Sequence, residues 1–293
     1  MDFTSLCQPY PQPHPFNLII QSRQLSSSTN PTSSSGIIDP LSAMTQYDTI
    51  GARYGSMSEL PAQSVEKPSV LRVLGDVQGL NCLDLACGLG RWSHLLVEQG
   101  AAHVTAIDVS ESMITSAQEG LAKLPEAQRS KIDYHVGDCS KQFAAPNAPF
   151  DLVLAVWFLN YAATYSEMLS MWRNVFANLK PGGRFVALTS NGFCGLEVPF
   201  DDRYGTNAIS LGKTEEGGFK CRITAYTEPE KVEFENYHYP HDFYERAAAE
   251  AGMTQLTWRS HVFPEADEKP EGFWDVYNLR PHFSLLTARK PTL

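Results

Sequence analysis

The fold of this sequence is constrained most by a short glycine-containing run after one apolar stretch, followed by an aspartate at the end of the next apolar stretch. Residues 80–87 predict a buried parallel strand, and Gly88 and Gly90 allow a tight turn with close backbone approach. Residues 91–99 have the pattern of a helix, and residues 103–108 predict a second strand. This order places the carboxylate of residue 108 at a strand tip beside a glycine turn, which is typical of a nucleotide-cofactor site in an α/β sheet.

Two kinds of cofactor fit this geometry. Residues 88–93 nearly satisfy the dinucleotide pattern G-x-G-x-x-G/A, and Asp108 follows at about the 20-residue spacing of a ribose-binding acid. Asp84, however, directly precedes the turn, where its charge opposes a pyrophosphate. S-adenosylmethionine has no phosphate, carries a sulfonium and an ammonium, and still offers a ribose to Asp108. The residues therefore favour S-adenosylmethionine, with a nicotinamide cofactor and hydride transfer as the alternative.

Several ordered motifs resemble those of the class I S-adenosylmethionine-dependent methyltransferases, in particular the small-molecule branch. The run Asp-Leu-Ala-Cys-Gly-Leu-Gly at residues 84–90 resembles the first motif of that family, D-x-G-x-G-x-G, with Ala86 in place of the first glycine. The resemblance covers most of residues 47–290. The remaining motifs occupy residues 106–110, 136–139, 150–157 and 179–185.

The resemblance implies that the chain binds S-adenosylmethionine and releases S-adenosylhomocysteine. It places Asp108 at the ribose hydroxyls, Asp138 at the adenine amino group with the Cys139 backbone nearby, and Asp84 with the backbone of residues 86–90 at the methionine end. The other cofactor-binding candidates are Tyr47, Ala86, Gly88, Gly90, Val109, Met113 and Ala155.

The alternation of strands and helices predicts an α/β fold. We expect a Rossmann-like sheet of seven strands, mostly parallel, with helices on both faces, an antiparallel edge strand and a small cap insertion. Residues 1–43 are rich in proline and serine and predict a disordered tail. Residues 44–293 form the expected methyltransferase domain, with the cap at about 191–240, where residues 219–226 and 232–239 predict a hairpin.

The start of the folded region resembles an N-terminal helix that lies over the cofactor in related small-molecule methyltransferases. Tyr47 and Tyr54 are seven residues apart, so one helical face would carry both rings. Such a face would hold a sulfonium by cation–π attraction and exclude water. Packing of the helix onto the core is the other interpretation.

The net charge and the aromatic residues of the chain narrow the chemical class of the expected acceptor. A net charge of −10 without clustered Lys and Arg argues against a nucleic-acid substrate. Trp157, Asn160 and Tyr161 follow the fourth predicted strand and are candidate acceptor-binding residues, or packing residues. The many aromatic residues of the cap suit a flat hydrophobic acceptor, although packing of the cap explains them equally well. They are Phe193, Phe200, Tyr204, Phe219, Tyr226 and Phe234.

The spacing of the cysteines and the length of the apolar stretches indicate the cellular compartment in which the protein is expected. The six cysteines show no C-x-x-C spacing and no clustering with histidine, so we expect reduced thiols and no metal site. No apolar stretch reaches the ~18 residues of a transmembrane helix. These features predict a cytoplasmic protein without a membrane partner.

Methyl transfer does not require a side-chain base, because holding the donor and the nucleophile close together and in the right orientation supplies much of the rate enhancement. For an O-methylation, His238 and His241 are the candidate catalytic residues by position. We expect a small-molecule acceptor, with oxygen favoured over nitrogen, sulfur or carbon, and a place in secondary-metabolite biosynthesis. The alternatives are an S-adenosylmethionine-dependent cyclase or rearrangement enzyme and a non-catalytic S-adenosylmethionine-binding regulator; the oligomeric state stays open.

Overall fold

The computed structural model describes residues 45–192, 202–264 and 269–292, so the predicted tail at 1–43 and the cap residues Phe193 and Phe200 lie outside the described residues. The ten strands of the described chain are β1 Asn81–Leu85, β2 His103–Asp108, β3 Ile132–Val136, β4 Phe150–Val156, β5 Leu179–Ser190, β6 Thr206–Lys213, β7 Phe219–Ala225, β8 Val232–His238, β9 Thr254–Arg259 and β10 Phe283–Arg289. The α-helices are α1 Gln46–Ile50, α2 Pro61–Ser64, α3 Glu66–Leu74, α4 Arg91–Glu98, α5 Glu111–Leu121, α6 Glu126–Arg129, α7 Tyr165–Asn178, α8 His241–Glu250 and α9 Asp275–Leu279.

Seven strands form one sheet in the order β3-β2-β1-β4-β5-β10-β9. The first five strands are parallel, whereas β10 runs antiparallel to both β5 and the edge strand β9. Four of the five β1 residues and six of the seven β4 residues are buried, because apolar side chains pack on both faces of the central strands. The predicted fold class is confirmed, and the strand that runs antiparallel to its neighbours is β10, which lies next to the edge strand β9.

The cap is a three-stranded antiparallel sheet in the order β6-β7-β8. The sequence predicted the β7–β8 hairpin, and Phe219 pairs with His238 at one end of it. It missed β6, whose last five residues are all exposed. Its apolar residues Ala208, Ile209 and Leu211 do not keep the strict two-residue alternation by which strands are found in sequence.

The opening segment (residues 45–59) departs from the single predicted helix. After α1, Gly51 takes φ 54° and ψ −143°, and the chain continues as a 3-10 helix over Gly51–Glu59. Tyr47 and Tyr54 therefore belong to different helical pieces. Their ring centroids are nevertheless 5.6 Å apart, edge to face. The two tyrosines share a surface because the chain breaks at Gly51, not because of helical periodicity.

Asp84 lies beneath the glycine turn. Its Oδ2 accepts a hydrogen bond from the Ser93 hydroxyl at 2.6 Å, and its Oδ1 has no hydrogen-bond partner within the described residues. The carboxyl is 1% exposed, and burial raises its pKa to about 7 despite the bond from Ser93. Asp84 thus links β1 to α4 and keeps a proton far above the usual pKa of a carboxyl group.

Gly90 is needed where the turn meets α4. Its φ is 81°, and a Cβ at this position would collide with the Tyr134 hydroxyl. Gly217, in the turn before β7, has φ 82° with nothing within 4 Å of a Cβ. Alanine in this left-handed conformation costs roughly 1–2 kcal/mol at either position. We expect Gly90→Ala to lower the Tm clearly more than Gly217→Ala, as measured by circular dichroism; equal losses would contradict the contact with Tyr134.

The raised pKa of Asp84 predicts a pH-dependent stability. Between about pH 4 and 7 the folded protein holds a proton that the unfolded chain has released, so the free energy of unfolding falls as pH rises. One such group contributes at most about 1.4 kcal/mol per pH unit. Asp84→Asn should therefore show a weaker decrease of the unfolding free energy with pH than the wild type. Urea unfolding at a series of pH values in this range measures that decrease. Asp133→Asn, at an exposed position, is the control, and an Asp84→Asn slope equal to the wild-type slope refutes the assignment.

Candidate cofactor and acceptor site

A cavity of about 620 Å³ lies at the carboxyl ends of the parallel strands. Its lining includes the turn after β1, Asp108 at the end of β2, the loop after β3 and the residues that follow β4. The opening segment covers it with Tyr47 and Tyr54. This is the edge at which open α/β sheets bind ligands, because loops from neighbouring strands meet there.

The turn after β1 exposes its backbone to the cavity. Ala86 has φ 57°, a left-handed conformation that favours glycine, and it stands where the resembling motif has its first glycine. Gly88 has φ 53°, and no atom lies within 4 Å of where its Cβ would be. The turn therefore offers space and main-chain groups to a ligand.

Asp108 ties this turn to the next helix. Its Oδ2 accepts a hydrogen bond from the Gly88 amide at 2.8 Å, and its Oδ1 accepts one from the Ser110 amide at 2.9 Å. Burial raises the pKa of Asp108, although both amide bonds favour the carboxylate. The carboxyl lines the cavity beside Gly88, where the sequence expected a ribose to be held.

The loop after β3 supplies a second carboxylate and a thiol. Asp138 Oδ1 accepts from the Ser140 amide at 3.0 Å, and Asp138 Oδ2 lies 3.3 Å from Lys141 Nζ. Burial raises the pKa of the Cys139 and Cys87 thiols well above the usual value, so both are neutral lining groups without thiolate reactivity.

Four aromatic rings connect the opening segment to the cap. Tyr47 lies 5.6 Å from Tyr54, 5.8 Å from Tyr161 and 6.0 Å from Phe234, measured between ring centroids. The hydroxyls of Tyr47 and Tyr161 are hydrogen-bonded to each other. Burial raises the pKa of the Tyr47 hydroxyl well above its usual value, so this hydroxyl stays protonated near neutral pH.

Most of the residues predicted from sequence meet in the one cavity. The candidates that line it are Tyr47, Ala86, Gly88, Asp108, Val109, Met113, Asp138, Cys139, Trp157 and Tyr161. Asp84 and Gly90 do not line it but lie behind the turn and shape it. The cofactor contacts assigned to these residues stay predictions.

Ala155 and Asn160 differ from their predicted positions. Ala155 belongs to the apolar cluster on one face of the sheet, whereas its neighbour Val156 belongs to the other cluster and lines the cavity. A two-residue strand period makes such adjacent residues face opposite ways. Asn160 is fully buried and lines neither the cavity nor the smaller pocket beside it. The structure therefore does not support cofactor contact by Ala155 or acceptor contact by Asn160.

The two candidate histidines have different surroundings. His238 is buried and lines a smaller pocket beside the cavity, where burial lowers its pKa to about 4. His241 lines neither space. Its Nε2 lies 3.1 Å from the Ser284 hydroxyl, its ring stacks on Trp258, and burial lowers its pKa to about 3. A catalytic role for His241 is not supported, because its ring is occupied in packing away from the cavity.

Sequence reasoning missed Glu66, which begins α3 and lines both spaces. Its side chain is 2% exposed, although an acidic residue in the first turn of a helix usually faces solvent. Burial raises the pKa of the Glu66 carboxyl to about 7. The positive charge of the Arg91 guanidinium is the largest effect that lowers this pKa. No local pattern marks Glu66, because its burial depends on the distant Trp157.

The charges of the lining favour a cationic ligand. The carboxylates of Glu66, Asp108, Asp138 and Glu167 line the cavity, and Arg91 is the one Lys or Arg among its lining residues in the described chain. Arg91 lies 3.6 Å from Glu66. Such a site opposes a pyrophosphate and suits a sulfonium and an ammonium.

Two further findings bear on the expectations for metals and membranes. In residues 45–192, 202–264 and 269–292, no three His, Cys, Asp or Glu side chains are grouped closely enough to hold a metal ion. No helix of the same ranges has the length and apolar character needed to cross a bilayer.

Comparisons with known proteins agree with this geometry. Residues 82–183 match the family described as a methyltransferase domain. A demethylmenaquinone methyltransferase from Lactococcus lactis is 29% identical over 152 residues, covering 50% of this chain and 57% of that protein. An uncharacterised protein from Haemophilus influenzae is 31% identical over 124 residues, covering 42% of this chain and 47% of that protein. The chain spans about half the length of the curated relatives it matches.

Solved structures share the fold. The CcbJ methyltransferase from Streptomyces caelestis aligns with a TM-score of 0.59 and 18% identity, over 85% of this chain and 98% of that chain. An S-adenosylmethionine-dependent methyltransferase from Mesorhizobium loti aligns with a TM-score of 0.53 and 20% identity, over 80% and 100%. The glycopeptide N-methyltransferase MtfA, solved with S-adenosylmethionine, aligns with a TM-score of 0.53 and 18% identity, over 78% and 94%.

MtfA is thus a neighbour in fold whose structure holds S-adenosylmethionine, the cofactor that the motifs of this chain predict. Residues 82–183 therefore match a methyltransferase domain, and the described chain has the fold of the S-adenosylmethionine-dependent methyltransferases that its motifs resemble.

Proposed function

We propose that this protein transfers a methyl group from S-adenosylmethionine to a small organic acceptor. The observation that carries the proposal is the acidic cavity beside the glycine turn, where the Asp108 carboxylate accepts the Gly88 amide and lines the open space. The absence of a free cation in the described lining disfavours a dinucleotide, because a pyrophosphate needs positive or neutral surroundings.

The residues of the cavity divide into cofactor and acceptor parts. We assign Asp108 to the ribose, Asp138 and Met113 to the adenine, and the main chain of residues 86–90 to the methionine end. Bound S-adenosylmethionine supplies a methyl carbon already activated by the sulfonium. The chain then has to hold the nucleophile in line with that carbon and exclude water, which is worth roughly 7–11 kcal/mol when the orientation is good. Tyr47, Tyr54 and Tyr161 provide the aromatic cover.

The acceptor part lies around Trp157 and Tyr161, after β4 and below the cap. Its aromatic walls suit a hydrophobic or aromatic acceptor, and we favour a hydroxyl or carboxyl oxygen as the methylated atom. The names of the matched proteins differ in their acceptors, a demethylmenaquinone in one and a glycopeptide in another. The likeness in fold to a glycopeptide-modifying enzyme supports a place in secondary-metabolite biosynthesis.

Asp108→Ala tests the cofactor assignment. The substitution removes charged hydrogen bonds worth roughly 1.5–3 kcal/mol, so the Kd for S-adenosylhomocysteine should rise about 10- to 150-fold. Isothermal titration calorimetry of the wild type and the variant, with S-adenosylmethionine, S-adenosylhomocysteine and NAD, measures this directly. Asp108→Asn keeps the size of the side chain and separates loss of charge from loss of shape.

Asp133→Ala is the matched control, because Asp133 is an exposed aspartate on the neighbouring strand β3. It should bind S-adenosylhomocysteine as the wild type does. An unchanged Kd in Asp108→Ala refutes the ribose assignment. Binding of NAD alone would overturn the proposed function in favour of hydride transfer.

A further inference from the structure

Glu66 lies at the junction between the cavity and the smaller pocket. Its buried side chain lines both spaces, as do those of Tyr54, Gln63 and Trp157. Ionisable groups inside a protein are usually paired or used, because burial of a charge costs free energy. A buried acid that also opens onto two spaces is a candidate for contact with a bound molecule.

Three neighbours hold the Glu66 carboxyl in place, and one of them is the Gln63 side chain, which is hydrogen-bonded to it. The Trp157 indole Nε1 donates a hydrogen bond to Oε1 at 2.9 Å, and Arg91 Nη1 lies 3.6 Å from Oε2. Trp157 directly follows β4 and has φ 61°, so a strained residue at the carboxyl end of the strand aims its indole at this carboxyl. Glu66 is thereby fixed beside the part of the cavity assigned to the acceptor.

The smaller pocket, about 50 Å³, contains buried polar atoms that lack a well-formed hydrogen bond within the described residues. The His238 ring interacts with the backbone of Asn191, but neither of its ring nitrogens meets full hydrogen-bond geometry with a partner in the described residues. Asn236 Oδ1 has no hydrogen-bond partner there. Both side chains are at most 3% exposed. Buried polar atoms in native proteins are normally hydrogen-bonded, so these atoms point to a polar group of a ligand. The volume admits one small polar group.

We propose that Glu66 accepts the proton of the acceptor's nucleophilic hydroxyl or amino group, while a polar end of the same acceptor occupies the pocket of His238 and Asn236. This inference rests on the proposed function. An oxygen or nitrogen lone pair forms the bond to the methyl carbon, the carbon–sulfur bond breaks with its electron pair going to sulfur, and the O–H or N–H proton moves to the Glu66 carboxylate. The products are the methylated acceptor, S-adenosylhomocysteine and a neutral Glu66, which returns the proton to solvent.

Glu66 suits this step better than the histidine. Burial raises the pKa of Glu66 to about 7 and lowers that of His238 to about 4, so near neutral pH the carboxylate is the stronger base. Arg91 keeps a share of Glu66 ionised. The charged and titratable groups that face Glu66 are Arg91 on α4, Tyr54 in the opening segment, Tyr277 on α9, and His238 and His282 across the smaller pocket.

The test compares the wild type with Glu66→Gln and Glu59→Gln. Glutamine keeps the shape of Glu66 and its acceptor for the Trp157 indole but cannot take a proton at neutral pH. Glu59 is an exposed carboxylate of the opening segment that lines neither space, so its neutralisation is the matched control. The probes are phenol, catechol and benzylamine, against thioanisole and N-methylindole, each with methyl-labelled S-adenosylmethionine at a series of pH values.

The proposal expects methylation of a hydroxyl or amino probe with a kcat about 100-fold lower in Glu66→Gln, in the range of a lost general base. The ratio of the two rates should shrink as pH falls below about 7, where wild-type Glu66 is also protonated. S-adenosylhomocysteine binding should be equal in all three proteins. Glu59→Gln should keep the wild-type rate.

Other outcomes overturn the proposal. These are a rate ratio independent of pH, an unchanged kcat, methylation of the sulfur or carbon probes alone, and methylation of no probe by a protein that binds S-adenosylhomocysteine. A weaker Kd for S-adenosylhomocysteine in Glu66→Gln assigns Glu66 to the cofactor instead. Failure of the wild type to bind S-adenosylhomocysteine refutes the proposed function itself, which distinguishes the two failures.

Discussion

The rest of the site depends on the two hydrogen bonds that the Asp108 carboxylate accepts. By accepting the amides of Gly88 and Ser110, it holds the turn after β1 and the start of α5 in one place. Two parallel strands bring these groups to the same edge of the sheet, and the carboxylate satisfies donors that a turn and a helix start would otherwise leave to water. The shape of the cavity floor follows from this one side chain.

The roof of the cavity depends on contacts between segments far apart in the chain. Tyr47 contacts Tyr161 after β4 and Phe234 on β8, so the opening segment, the main sheet and the cap share one aromatic cluster. The Asp48 carboxylate accepts the Ser110 hydroxyl at 2.6 Å and ties α1 to α5. Ser110 is thus held from both sides, and the roof is anchored to the same helix start as the floor.

Buried acids give the site its chemical character. Asp84 and Glu66 both have pKa values raised to about 7 by burial, but their surroundings assign them different tasks. Asp84 faces Ser93 beneath the turn and shapes it, whereas Glu66 faces two open spaces. Burial of these two acids lowers the stability of the folded protein, and buried acids with shifted pKa values are typical of functional sites.

The short-range signals of this sequence predicted the main sheet and the meeting of most motif residues at one cavity. Helix α4 occupies Arg91–Glu98 and strand β2 occupies His103–Asp108, where residues 91–99 and 103–108 predicted them. Both features depend on neighbouring residues, so composition and spacing reveal them. The break at Gly51 and strand β6 escaped prediction, because contacts with distant segments outweigh weak local preferences there.

By itself, the sequence determined the α/β fold class and the meeting of Asp108, Asp138 and the glycine turn at one sheet edge, because strand order places motif ends together. Only the tertiary structure decided that Glu66 is buried against Trp157, that His238 lines a small polar pocket and that His241 stacks in the core. The physical reason is that burial and charge pairing depend on which distant segments surround a side chain. A sequence pattern of neighbours carries no such information.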